Sequence, residues 1–75
     1  MEFKKRLQQL REKKRISRIV ASELCGLASD SIRKYERGES EPTMASLIAM
    51  AEFFEVSVDY LVGKDDNNER NRKKL

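Results

Sequence analysis

The chain has no histidine, no tryptophan, one cysteine, one proline and three glycines in 75 residues. A lone cysteine excludes an internal disulfide. Without histidine, and with a single thiol, a zinc site lacks ligands and a serine or cysteine nucleophile lacks its usual base. Catalysis is therefore not expected, and neither is a cofactor or a small-molecule ligand. The longest apolar run is about five residues, far below the roughly 20 needed to cross a bilayer. The opening MEFKKRLQQL has no apolar stretch of the signal-peptide kind, so a cytoplasmic protein is expected. Sparse Pro and Gly leave the chain free to be helical, and 39% hydrophobic residues suffice for a small helical core. A chain of this length forms one domain that buries only about 60% of its unfolded surface, with no room for a separate ligand-sensing domain.

What is abundant is charge, 39% of all residues for a net of +3. Residues 1–38 hold 11 Lys or Arg against 5 Asp or Glu, residues 39–63 hold none against 5, and residues 64–75 hold 5 against 3. Positive charge is thus expected alongside the stretch 17–38. That distribution is the footprint of a nucleic-acid binder, because cations that neutralise phosphates release condensed counterions. A merely solvated basic helix is the plain alternative.

The stretch SRIVASELCGLASDSIRKYERG, residues 17–38, reads as two short helices at an angle. Ser17 is a good N-cap, since its hydroxyl can accept from an early amide, and Ile16 before it offers an apolar contact. Ala21, Leu24 and Cys25 fall on one face of a helix of about two turns, ended by Gly26. A second helix opens near Ser29, with Ala28, Ile32 and Tyr35 on one face and Gly38 as its stop. Its opposite face carries Asp30, Arg33, Lys34 and Arg37. Two short helices joined by a Gly-containing turn form a helix-turn-helix, whose second helix is free to lie in a DNA major groove.

The flanks complete an all-α domain of five helices. The first runs from about Glu2 to Lys14 with Phe3, Leu7 and Leu10 as its apolar stripe, flanked by Arg11. Lys13, Lys14 and Arg15 make a basic turn. Thr43 caps a fourth helix after Pro42, with Met44, Leu47, Met50, Ala51 and Phe54 as the buried stripe. Glu55 stands where a glycine would normally end it. Ser57 caps a short fifth helix, Val58 to Val62, ended by Gly63. Phe53, Ile48 and Val62 fall off the main stripes; either they are exposed and suit a two-fold interface, or Phe53 is covered within the chain. Cys25 reads as a small buried hydrophobe. The last twelve residues, 64–75, have no apolar periodicity and read as a charged, flexible tail, in which Arg70, Arg72, Lys73 and Lys74 are available to add nonspecific attraction to DNA.

Residues 1–63 resemble the Cro and phage-repressor type of helix-turn-helix domain, often called XRE-like. The resemblance rests on the basic first helix, Ser17, Cys25-Gly26-Leu27, Ile32, Tyr35-Glu36-Arg37-Gly38, Glu41-Pro42-Thr43 and Val56-Ser57-Val58-Asp59-Tyr60-Leu61 in that order. It implies a compact lambda-repressor-like fold and a homodimeric transcriptional repressor on a near-palindromic double-stranded DNA operator. It also implies that Ser29, Asp30 and Lys34, with Arg33 beside them, read bases. Arg33 or Lys34 suits guanine O6 and N7, and Asp30 suits cytosine N4 or, alternatively, serves only the helix dipole. Ser17, Arg18, Ser31 and Arg37 fit phosphate contacts. Arg11 is implied to pair with Glu36, tying the first helix to the third; an exposed, unpaired Arg11 is the other reading. Glu39 and Glu41 fall in a loop that passes the DNA backbone in the family, so they should point away.

The second helix departs from the family pattern. Ala21 stands where Leu is common, Ser22 where Ala is common, and Val20 and Leu24 where polar residues are common, as if the helix were slightly rotated. That surface, with Glu39 and Glu41, favours the competing function: a protein-interaction module on the same fold, an antirepressor or antitoxin.

Overall fold

The computed structural model describes residues 2–64, and the five helices in them are α1 (Glu2–Lys13), α2 (Arg18–Leu24), α3 (Ser31–Arg37), α4 (Met44–Phe54) and α5 (Val58–Leu61). The expected tail, apart from Lys64, lies outside the described residues. None of the helices among the described residues is long and apolar enough to cross a membrane. α1 packs against α3 and α5, α2 against α3, and α4 against α5.

The local chemistry of the helix ends accounts for most of the boundaries. Ser17, Thr43 and Ser57 all adopt extended backbone and accept, through their hydroxyls, from the amides of Val20, Ser46 and Tyr60. Each satisfies one of the orphan donors of a first turn. Gly38 ends α3 at φ +76°, with its own N–H on Tyr35 and the N–H of Glu39 on Lys34, a Schellman closure. Glu55 occupies the same left-handed position after α4 at φ 59° without being glycine.

The core draws on every helix. Leu7, Ile32, Met50 and Leu61 are fully buried, with Phe3, Ala21, Cys25, Tyr35, Ala51, Phe54 and Val56 around them. α1 is also fastened to α5 by Arg6, whose Nη1 donates to the Tyr60 carbonyl at 3.0 Å while its guanidinium lies 4.2 Å from the Tyr60 ring centre. Beside this, Gly63 at φ +91° lies directly against the Glu2 side chain, with no space for a Cβ.

Three expected core positions are not in the core. Leu24 is 60% exposed, because α2 turns Ala21, Ser22 and Cys25 inward and Leu24 lies ~200° round the helix from Ser22. Val20 and Ile19 are exposed as well, so α2 has not rotated to bury the displaced apolar groups. Met44, at the first helical position after the Thr43 cap, is exposed, and the stripe of α4 begins at Leu47. Ala28 is exposed because α3 starts at Ser31, two residues later than expected. Of the off-stripe residues, Ile48 is exposed, whereas Phe53 is half-buried under Lys14 and edge-on to Phe54, and Val62 is half-buried.

The late start of α3 has a specific cause. Asp30 stands at the N-cap without making a capping hydrogen bond, and the side chain that satisfies the first turn comes from α2. The buried hydroxyl of Ser22 accepts from the Ile32 amide at 3.0 Å and donates to the Arg18 carbonyl at 2.9 Å. Ser22→Ala would strand a buried N–H and should lower stability by about 1–3 kcal/mol, read as a fall in urea midpoint. Glu55→Gly should act in the opposite direction, with a gain of about 0.5–1 kcal/mol from the left-handed penalty removed less the entropy of glycine. A thermal melt of each variant checks both signs.

Candidate nucleic-acid interface

Glu36, on α3, is nearly inaccessible and takes two arginines. Arg11 of α1 donates from Nε at 2.7 Å and from Nη2 at 3.2 Å, while its Nη1 donates to the Ile16 carbonyl at 2.9 Å. Arg18 of α2 donates from Nε to the same carboxylate at 2.9 Å. The structure thus brings Arg11 and Glu36 together, and adds Arg18, which sequence reasoning had left to phosphate alone. The hydrogen bond to Glu36 outweighs burial and raises the Arg11 guanidinium above its ordinary pKa. One carboxylate therefore sets three things at once: the α1–α3 contact, the turn before α2, and the start of α2.

With that frame fixed, Ser17, Arg18, Ile19, Ser29, Asp30 and Arg33 line an open cleft between the start of α2 and the start of α3. Ser29 lies in the turn before α3 and its hydroxyl is not a cap, so it is free to face a ligand. Ser31 and Ile32 follow, with Ser31 half-exposed and Ile32 facing the core. Arg33, Lys34 and Arg37 project from the solvent side at 42%, 45% and 62% side-chain exposure. Ile19 also lines the cleft, and the sequence gives no sign of that, since an apolar residue carries no nucleic-acid signal by type.

The cations of α3 are not bare. Lys34 Nζ lies 3.2 Å from Asp30 Oδ2, and Arg33 Nη2 lies 3.8 Å from the same oxygen. Hydrogen bonding to Lys34 holds the Asp30 carboxyl below its ordinary range. With the folded-state pKa lowered, whatever this pair contributes is present above the ordinary carboxylate pKa and lost as pH falls through the folded value. Glu39 turns back onto α3, with Arg37 Nε at 2.9 Å and Arg33 Nη1 at 3.7 Å, instead of pointing away. Residues 30–39 therefore hold three cations and three carboxylates. The positive surplus expected with the reading helix belongs instead to residues 1–18, with 8 Lys or Arg against Glu2 and Glu12.

Cys25 is buried, and burial pushes its thiol up to about 11, so it stays protonated at neutral pH. It is packing, not chemistry.

Neutralising Glu36 should be far more damaging than removing its half-exposed partner Arg18. Glu36→Gln leaves Arg11 charged and buried and should cost about 3–5 kcal/mol, whereas Arg18→Gln, at a half-exposed site, should cost about 0–1 kcal/mol. Urea denaturation of both variants measures the contrast.

The helix-turn-helix family model HTH_3 matches residues 7–61. The chain is 31% identical over 75 residues to the HTH-type transcriptional regulator ImmR of Bacillus subtilis strain 168, covering all of this chain and 59% of that protein. It is 35% identical over 72 residues to the cryptic phage CTXphi transcriptional repressor RstR of Vibrio cholerae, covering 92% and 64%. It is also 33% identical over 82 residues to the HTH-type transcriptional activator BcrR of Enterococcus faecalis, covering 100% and 40%. The chain thus spans 40–64% of the length of these relatives. Among solved structures, the P22 c2 repressor protein in complex with synthetic operator 9T superposes with a TM-score of 0.79 at 28% identity, covering 87% of this chain and 98% of that one. From the match across most of its length, the chain belongs to the HTH_3 family of helix-turn-helix proteins.

Proposed function

We propose that this protein is a sequence-specific, double-stranded DNA-binding transcription regulator that acts as a homodimeric repressor on a near-palindromic operator. The observation that carries the reading is the α2–turn–α3 unit, held by Glu36 and Ser22, with Arg33, Lys34 and Arg37 on its solvent side. Its likeness to a repressor solved on operator DNA supports the same assignment. α3 enters the major groove. Arg33 and Lys34 donate to guanine edges, Asp30 accepts from cytosine, and Ser29 serves a neighbouring base. Ser17, Arg18, Ser31 and Arg37 take phosphates, which fix the register of the helix without reading sequence. DNA as ligand places the work of the protein in the cytoplasm.

Pairing of two chains is supported by Met44 and Ile48, which stand one turn apart on α4 and are both exposed. Each copy then presents one α3 to a half-site, with the half-sites about one helical turn, ~34 Å, apart. Occupation of a promoter by such a dimer represses. One of the similar proteins is named a transcriptional activator, so activation is the opposite outcome to test.

A second reading, a protein-interaction module, is favoured by one observation: the apolar face of Ile19, Val20 and Leu24 on α2, exposed at 57%, 40% and 60%. Enrichment of a random duplex pool at near-physiological salt separates the two. A two-fold motif with half-sites about 10 bp apart is expected, and Arg33→Glu with Lys34→Glu should abolish it. Arg33→Ala alone should weaken the selected site by about 1–3 kcal/mol and relax preference at one base pair. No enrichment by the unaltered chain favours the protein partner; enrichment of a single half-site keeps DNA and removes the dimer.

A further inference from the structure

Resting on the DNA-binding reading, we infer that Arg15, in the turn between α1 and α2, is a further phosphate-binding residue, and that it supplies attraction the paired cations of α3 do not. The inference starts from the ion pairs. Arg33, Lys34 and Arg37 each have a carboxylate, Asp30 or Glu39, at 2.9–3.8 Å, and Arg18 donates to Glu36. When a phosphate takes one of these cations, the carboxylate stays beside the DNA and its charge offsets that of the cation, so few counterions leave. Arg15 has no such offset. It is exposed, and among the described residues its side chain makes no ion pair or hydrogen bond. Its neighbours in the basic turn are directed elsewhere. Lys13 lines a cleft on the α1–α5 side with Gln9, Leu10, Glu12 and Tyr60, and Lys14 lies over the Phe53 ring at 5.2 Å.

The backbone at Arg15 is fixed from both sides. Its N–H donates to the Glu12 carbonyl at 3.0 Å, Arg11 Nη1 holds the carbonyl of Ile16, and Ser17 then caps α2. Ser17 and Arg18 in turn line the cleft that also holds Ser29, Asp30 and Arg33. Two residues of chain span at most about 7 Å, so a DNA strand that meets Ser17 and Arg18 also passes within reach of the Arg15 guanidinium. Arg15 adopts φ 60°, the left-handed region that Gly26, Gly38 and Gly63 also occupy. Glu55 does the same after α4, so the conformation by itself assigns no role. It does supply the means of a test. Glycine at this position removes the guanidinium and relieves the backbone in one step, so binding and stability should move apart.

The experiment compares the full chain with Arg15→Gly, Arg15→Lys and Lys5→Gln on the selected operator and on a scrambled duplex of equal length, from roughly 50 to 200 mM salt, with a thermal melt of each variant. Arg15→Gly should weaken both duplexes by the same factor, about 8-fold per chain at 100 mM salt, and make both salt slopes shallower by ~0.9 per chain, with the melting midpoint unchanged or raised. Arg15→Lys should keep both slopes. Lys5→Gln removes an exposed cation ten residues earlier, on α1, and should change the slopes by less than half as much. With a neutral methylphosphonate placed at each backbone position of the operator in turn, one position per half-site should lose its effect on affinity in Arg15→Gly. Unchanged slopes, an equal loss in Lys5→Gln, or no backbone position that loses its effect would each overturn the inference while leaving DNA binding intact. A fall in melting midpoint together with the loss of affinity would assign Arg15 to the fold instead. If the unaltered chain binds neither duplex, the functional reading fails first and the role of Arg15 with it.

Discussion

The orientation of α3 against α1 and α2 rests on one buried carboxylate with two guanidiniums. Glu36 is reached from α1 by Arg11 and from α2 by Arg18, and the third arm of Arg11 holds the Ile16 carbonyl just before α2 begins. Such a group adds little net stability compared with an apolar substitute, since desolvating the charges offsets most of their attraction. What it adds is direction. An apolar contact between α1 and α3 tolerates sliding, whereas a two-pronged guanidinium on a carboxylate has one register. Stability comes from the packing of Leu7, Ile32, Met50 and Leu61; orientation comes from Glu36.

Charge is laid out in three zones along the chain. A basic α1 and turn, an electrically balanced segment 30–39, and a carboxylate-only stretch from Glu41 to Asp59 follow one another. A polyanion is attracted over several ångströms by the first zone, whose field reaches about a Debye length of ~8 Å at physiological salt. The second zone is quiet at that range and acts only in contact. On the proposed reading, attraction and discrimination fall to different segments, and the acidic zone disfavours a polyanion on the α4–α5 side.

Features that depend on a few neighbouring residues were legible in the sequence. The caps Ser17, Thr43 and Ser57, the left-handed Gly38, and the cores of α1 and α4 from Leu47 onward follow from spacing alone. The pairing of Arg11 with Glu36 joins residues 25 apart and came only with the resemblance. What failed depended on another helix. Ser22 looked like a departure from pattern, yet it caps α3 across the turn, and no local rule assigns a cap to a residue ten positions upstream. Leu24 was placed inward by its spacing from Ala21 and Cys25, yet α2 turns Ser22 toward α3 and Leu24 to the far side. Glu39 was expected to turn outward because its own sign is unfavourable near DNA. The sequence alone gives no weight to the two arginines that the Schellman turn brings within its reach.

The seating of Glu2 against Gly63, reinforced by Arg6 on Tyr60, has a consequence for chain architecture. The two ends of the described helical unit meet at one corner of the molecule. A short peptide could join residue 2 to residue 64 without crossing the surface, so new termini opened in a surface loop would leave the core and the Glu36 frame in place.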